Sequence, residues 1–279
     1  MIPTSVQSPI AYNELAKLSS NDVRLALRTN AYSAHTAGLA AGRLQCNLVI
    51  LPSDDGVDFR AFCEANPVFC PLIGASGIGA TDMPDLGQEI DLRSDLPLYF
   101  VYRPGQIVER VKDIKTLWRD DFMAFAVGCS FTFEHALMRA GIEMRHVTEG
   151  VTVPMFRSNI QTKPVGRFGG AAVVSMRPIP EGRVEDVKRI CAAFPHAHGA
   201  PIHIGAPEEI GITDINQPDW GEAVTIGAGE VPAFWGCGVT TQEALISAAP
   251  EIAITHAPGA MLITDLDEAA PFQTDGTSY

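Results

Sequence analysis

Apolar and polar positions fall in short blocks along this chain, and the blocks predict a mixture of helices and brief strands. Residues 21–29 read as a helix, with Arg24 and Arg28 four apart on one face. That face is expected to be solvated, unless the two guanidinium groups clamp a carboxylate. The Gly-rich stretch AHTAGLAAGRLQ then feeds an apolar strand, NLVILP, and lacks the GxGxxG or GK[ST] spacing of a nucleotide loop. VDFRAFCEANP is a helix stopped by Pro67, CPLIGASGIGATDMPDLG an irregular connection, and LPLYFVYRPGQIVERV a hairpin turning at Pro104-Gly105. The spacing of Ile114, Leu117, Trp118, Phe122 and Phe125 predicts a helix over IKTLWRDDFMAFAV, capped by Asp113.

Further on, GCSFTFEHALMRAG is a Gly-Cys turn opening a helix that ends at Gly141, while GIEMRHV and VTVPMF read as strands. RSNIQTKPVGRFGG is a polar, Pro/Gly-broken loop and AAVVSMRP a buried strand. RVEDVKRICAAF is an amphipathic helix, QEALISAA a helical run, and EIAITHAPGAMLITDL two short strands around the turn at His256. The first twenty residues suggest a short packing helix, and the last dozen a frayed tail. The expected fold is mixed α/β, of the α+β kind, with about eight to twelve strands in mixed sheets. Residues 1–279 form one domain in this reading, with two intertwined lobes as the other arrangement.

The chain also echoes itself. With Cys129 placed over Cys237, Gly precedes each Cys, Thr132 matches Thr240, Glu134 matches Gln242, and Ala136-Leu137 matches Ala244-Leu245. A short strand is then expected to lead to His146 in one copy and His256 in the other. A duplicated turn-helix-strand unit, about 124–160 and 232–266, would place two helix N-termini at one cleft.

Composition narrows the partners. The 279 residues carry 33 acidic and 20 basic side chains, a net charge of -13, which argues against nucleic acid and anionic membrane surfaces. A small anionic substrate in a local cationic pocket remains compatible. Six cysteines without a CxxC pair read as free thiols of a reducing compartment, so a cytoplasmic setting is expected, with Cys63 and Cys70 as packing thiols.

The chemistry gathers between His198 and Thr241, in HGAPIHIG, PDWGE and GEVPAFWGCGVTT. Cys237 lies at a turn before a helix, where the dipole is expected to favour thiolate, and Cys129 is placed likewise. His198, His203 and His256 are candidate acids or bases, joined by Glu134 at a helix start. Arg157, Lys163 and Arg167 crowd one loop and suit carboxylate, with Asn159, Ser130 and Thr240 as neutral donors. No cofactor is expected. A weaker metal reading would use His196, His198 and His203 with Asp219 and Glu222.

Several of these strings resemble one family. NLVILP, FCEANPVFCPL, GCSFTFE, VPMFRSNI, VVSMRP, HGAPIHIG, GEVPAFWGCGVTTQ and HAPGAMLITD are similar, in order over residues 20 to 266, to the "putative hydro-lyase" family, also called the D-glutamate cyclase family. The family pattern often has Pro at Ala41 and Thr241, Ala at Cys46 and Gly236, and Asp at Glu222, which weakens a strict ligand role for Glu222. The resemblance implies a lyase that removes water from a small carboxylate-bearing metabolite, as in cyclising D-glutamate to 5-oxo-D-proline, in an enzyme often homo-oligomeric. A two-thiol racemase and a non-catalytic carboxylate binder are the rival readings.

Overall fold

The computed structural model describes residues 10–270; residues 1–9 and most of the expected C-terminal tail lie outside them. The first half contains α1 (Tyr12–Leu15), α2 (Ser20–Arg28), β1 (Arg43–Pro52), α3 (Ser53–Ala65), β2 (Leu72–Ala75), β3 (Tyr99–Arg103), β4 (Gln106–Val111), β5 (Phe122–Val127) and α4 (Phe131–Arg139). Then come α5 (Arg145–Glu149), β6 (Met155–Gln161), β7 (Ala171–Pro180), α6 (Val184–Ala192), β8 (His203–Ile204), β9 (Glu230–Gly236), α7 (Val239–Ala248), β10 (Ala253–His256) and β11 (Leu262–Asp267). Helices and two sheets together make the mixed α+β fold expected from the sequence.

The chain divides into two compact units. The first holds residues up to Gly56, Gly74–Ala126 and the chain from Ala249; the second holds Val57–Ile73 and Val127–Ala248. In the first, a seven-stranded sheet runs β2-β5-β1-β10-β3-β4, with β11 also on β1. β1 is antiparallel to both β10 and β11, and is buried along nearly its whole length because it is apolar on both faces. Ser19 caps α2 by accepting from the Asp22 N–H. Val23, Ala26 and Leu27 of α2 pack with Leu15, Leu39 and Ile263.

The polar face of α2 is not solvated. Arg24 is fully buried, donating to Asp265 at 2.8 Å and to the Ile263 carbonyl at 3.1 Å. Arg28 holds both oxygens of Asp95. The clamp is therefore internal, filled by the chain's own carboxylates.

In the second unit an antiparallel sheet runs β6-β7-β9-β8. Its period-2 pattern sorts side chains to two faces. Ile179, Ala233 and Trp235 face the core made by Phe133 and Leu137 of α4 with Val187 and Cys191 of α6. Val174, Met176, Phe156 and Phe234 pack on the other face, against Ile210, Ile212 and Val224.

Three local expectations are corrected. The stretch IKTLWRDDFMAFAV is a turn followed by β5: Phe122 and Ala124–Val127 are all buried, which fits a short two-face strand better than a helix with a wet side. Trp118 sits in the turn, donating Nε1–H to the Gly79 carbonyl at 3.1 Å. GIEMRHV carries α5 rather than a strand, so His146 lies on a helical turn. RSNIQ is not loop but the body of β6, in register with β7 from Met155↔Ser175 to Gln161↔Ala171.

Candidate active site

Both glycine–cysteine bends belong to the second unit, and each is set by a close backbone approach. A Cβ at residue 128 would meet the His196 carbonyl oxygen at 1.8 Å, and the Gly128 N–H donates to the Pro71 carbonyl at 2.9 Å. A Cβ at residue 236 would meet the Val68 carbonyl oxygen at 2.5 Å. Only glycine admits such contacts without movement. From these turns α4 and α7 start, so each thiol lies at a helix N-terminus.

The expected thiolate does not follow. Burial pushes the Cys129 thiol up to about 12, although the Phe131 N–H and the Arg177 charge pull it down. Burial likewise raises Cys237 to about 11, against the Val239 N–H and Arg177. Desolvation outweighs the helix dipole at both bends. Cys129 keeps partial exposure, whereas Cys237 is buried with its Sγ 3.5 Å from Met155 Sδ.

Behind the thiols lies a charged cluster. Arg177 of β7 is fully buried; its Nε donates to Glu134 at 3.0 Å, and its Nη2 donates to Glu134 and, at 2.9 Å, to Ser130. Its Nη1 donates to Ser175 at 2.5 Å, and Phe133 and Trp235 flank the guanidinium at 5.2 and 5.4 Å. The other oxygen of Glu134 is 3.4 Å from His146 Nε2. Burial pushes the Glu134 carboxyl upward, but the Arg177 charge and the His146 contact prevail and hold it at about 2. Glu134 is thus a fixed anion, compensated where it stands.

His198 joins this region. It is buried at a left-handed turn, φ +75°, with Nδ1 2.9 Å from the Val68 carbonyl. Burial lowers its pKa to about 4, and Arg177 lowers it further against the pull of the Val68 and Gly128 backbone. One guanidinium therefore acts on Cys129, Cys237, Glu134 and His198 together. It reaches Cys191 as well, but the first four are among the candidates named from the sequence.

The remaining candidates are placed elsewhere. His203 stands opposite Phe234 on β9, with ring centroids 5.8 Å apart, on the sheet face away from Trp235 and the Arg177 cluster. Its Nε2 is 2.7 Å from the Ala206 carbonyl. His256 belongs to the first unit, where Nδ1 lies 3.2 Å from the Leu48 N and burial lowers its pKa to about 4. Arg157 is satisfied internally, by Asp219 at 2.7 Å and Glu243 at 2.8 Å, with Trp220 beneath it at 4.4 Å. Lys163 and Arg167 are exposed, and Asn159 donates to the Glu209 carbonyl at 3.3 Å. Thr240 staples α7 to β7, accepting from the Val173 N–H at 3.0 Å.

Of the weaker metal set, Glu222 accepts from the Thr152 N–H at 2.8 Å and Asp219 is taken by Arg157. Among the described residues, no three His, Cys, Asp or Glu side chains are grouped as a metal would require. No helix among them is long and apolar enough to cross a membrane. The residue that sequence reasoning passed over is Arg177. Its signal was present: a single cation inside AAVVSMRPIP, a strand buried almost throughout, needs a buried anion.

Comparison with known proteins supplies the wider frame. The D-glutamate cyclase family pattern matches residues 123–265, which include both bends and Arg177. The chain is 51% identical to a protein named "Putative hydro-lyase" from Jannaschia sp. (strain CCS1), over 89% of this chain and 93% of the relative. Identity is 52% to "Putative hydro-lyase SPO1111" from Ruegeria pomeroyi (strain ATCC 700808 / DSM 15171 / DSS-3), over 94% of this chain and 95% of the relative. It is 48% to "Putative hydro-lyase SH0274" from Staphylococcus haemolyticus (strain JCSC1435), over 91% and 97%. A solved structure, a nitrogen repressor-like protein MJ0159 from Methanococcus jannaschii, aligns over 84% of this chain and 91% of that one. With 8% identity and a TM-score of 0.37, that likeness carries no argument. The sequence matches define an enzyme of the lyase class. The chain belongs to the D-glutamate cyclase family, the hydro-lyase family anticipated from its motifs.

Proposed function

We propose that this enzyme removes water from a small carboxylate-bearing metabolite at Cys129, with cyclisation of a D-glutamate-type acid as the reaction. The observation that supports it is one partly exposed thiol, Cys129, at the start of α4 within the field of a buried arginine. Cyclisation needs a base for the substrate ammonium, an acid for the departing oxygen, and support for the tetrahedral oxyanion. With its pKa near 12, Cys129 is a protonated donor at neutral pH. With its pKa near 4, His198 is neutral at that pH, its Nδ1–H donated to the Val68 carbonyl. Environments that drive the pKa values of neighbouring groups in opposite directions assign acid and base. Arg177 and the N–H groups opening α4 supply positive potential for the oxyanion, and Ser130 a neutral donor. The reading uses no cofactor, and a cytoplasmic, homo-oligomeric enzyme without nucleic-acid or membrane partners is consistent with it.

The test is incubation of purified protein with D- and L-glutamate and with a wider set of amino and hydroxy acids, followed by mass spectrometry. A product lighter by one water, absent with Cys129→Ser, is the expected result. Deuterium entering the α carbon in heavy water without water loss would instead select the two-thiol racemase. Ligand-dependent thermal shifts with no turnover of any acid would leave a binding protein.

A further inference from the structure

A cavity of about 320 Å3 opens in the second unit between two irregular stretches of chain. Pro67, Pro71 and Leu72, after α3, form one wall; Pro195, Ala200 and Ile202, between α6 and β8, form the other. His196 and His198, with Val68 and Gly199, complete the lining, and no Lys, Arg, Asp or Glu contributes to it. Three prolines fix backbone angles on both sides, so the walls are stiff before any ligand arrives. The volume lies at the small end of ligand pockets, which run from about 300 to 1,000 Å3.

Its walls are the same segments that shape the two bends. Pro71 accepts the Gly128 N–H, the His196 carbonyl crowds Gly128, and the Val68 carbonyl crowds Gly236. His198 borders the cavity with its ring anchored on Val68, and it also lies in the field of Arg177. An occupant would therefore rest beside the backbone that aims Cys129. A carboxylate in this cavity would lose its hydration and meet no cation, a costly exchange. An alkyl or aromatic group would gain from leaving water.

Resting on the dehydration reading above, we propose that the cavity receives an uncharged, apolar substituent of the substrate, whose carboxylate end lies toward Cys129 and Ser130. Glutamate itself, charged at both ends, leaves the cavity unfilled. Acids that keep the reacting groups and add a branched or aromatic substituent are then better substrates than glutamate itself.

The probes are hexanoate, 3-phenylpropanoate and glutarate, with affinity measured by calorimetry on the whole chain. The two apolar acids are expected to bind at least about tenfold more tightly than glutarate. Ala200→Phe and Leu72→Phe, which fill the cavity from opposite walls, should each abolish that advantage while the free proteins melt as the wild type does. Equal affinity for glutarate, or an advantage that survives in both variants, overturns the proposal. The wild-type His198 ring resonances should move with 3-phenylpropanoate and stay with glutarate; the reverse also overturns it. An apolar preference that the variants remove, with no water lost from any acid, would keep the cavity assignment and end the dehydration reading. Dehydration of D-glutamate unchanged in both variants, with no apolar preference, would do the opposite.

Discussion

The two glycine–cysteine bends are built alike and surrounded differently. Each follows a strand, each glycine is required by a carbonyl oxygen of a neighbouring segment, and each thiol meets an N–H of the helix that follows. Five residues beyond each cysteine, the paths diverge. α4 carries Glu134, bonded to the buried Arg177, while α7 carries the uncharged Gln242 at the matching place. Cys129 keeps partial exposure and Cys237 is packed on Met155. A repeated local shape thus yields one partly exposed bend beside a buried ion pair and one packed bend, and their surroundings rather than backbone separate them.

The largest effect should come from the charged pair. Glu134→Ala leaves the Arg177 guanidinium buried without its carboxylate, expected to cost about 3–5 kcal/mol of stability in denaturant titration. The double variant Glu134→Ala with Arg177→Met should recover much of that stability and none of the turnover. Gln242→Ala, its counterpart in α7, should cost only about 1 kcal/mol. Equal losses at 134 and 242 would erase the distinction between the bends.

Next come the glycines. Gly128→Ala must displace a carbonyl that a Cβ would approach to 1.8 Å, against 2.5 Å at residue 236. A loss of about 1–3 kcal/mol is expected at 128 and a smaller one at 236, read from urea midpoints. The thiols should then divide by function. Cys129→Ala is expected to lower turnover by about 100-fold or more, and Cys237→Ala by less than about tenfold. A greater loss at Cys237 would reverse the roles.

The bends were legible because Gly-Cys followed by helix-forming residues is a local signal, and nothing distant alters it. Arg177 was not, since a lone arginine in VVSMRP gains meaning only when Glu134, 43 residues earlier, is seen to face it. Arg157, Lys163 and Arg167 looked like an anion clamp because Asp219 and Glu243, which occupy Arg157, lie 62 and 86 residues further on. The same blindness hid the partners of Arg24 and Arg28. FMAFAV was drawn into a helix by apolar residues upstream that happen to match its spacing, although five of its six residues buried, on both faces, suit a strand. Short-range shape is written in the chain, whereas charge pairing across it is not.

Acid titration separates the buried titratable groups most sharply. His198 and His256 are held neutral, near 4 rather than the ordinary 6.5. Below about pH 6.5 the unfolded chain takes up protons that the folded chain refuses, so stability falls as pH drops from there toward 4. Glu134 works lower. Its folded pKa of about 2 against the ordinary 4.5 means its contribution is present above 4.5 and is lost as pH falls toward 2. Stability measured by denaturant at steps from pH 8 to pH 3 should therefore decline in two stages. His198→Gln should flatten some of the upper stage and leave the lower, while Glu134→Gln should flatten some of the lower, to which Asp265 also contributes, and leave the upper. A Glu134→Gln profile that still falls below pH 4.5 as the wild type does would mean that Arg177 and His146 do not hold that carboxylate ionised.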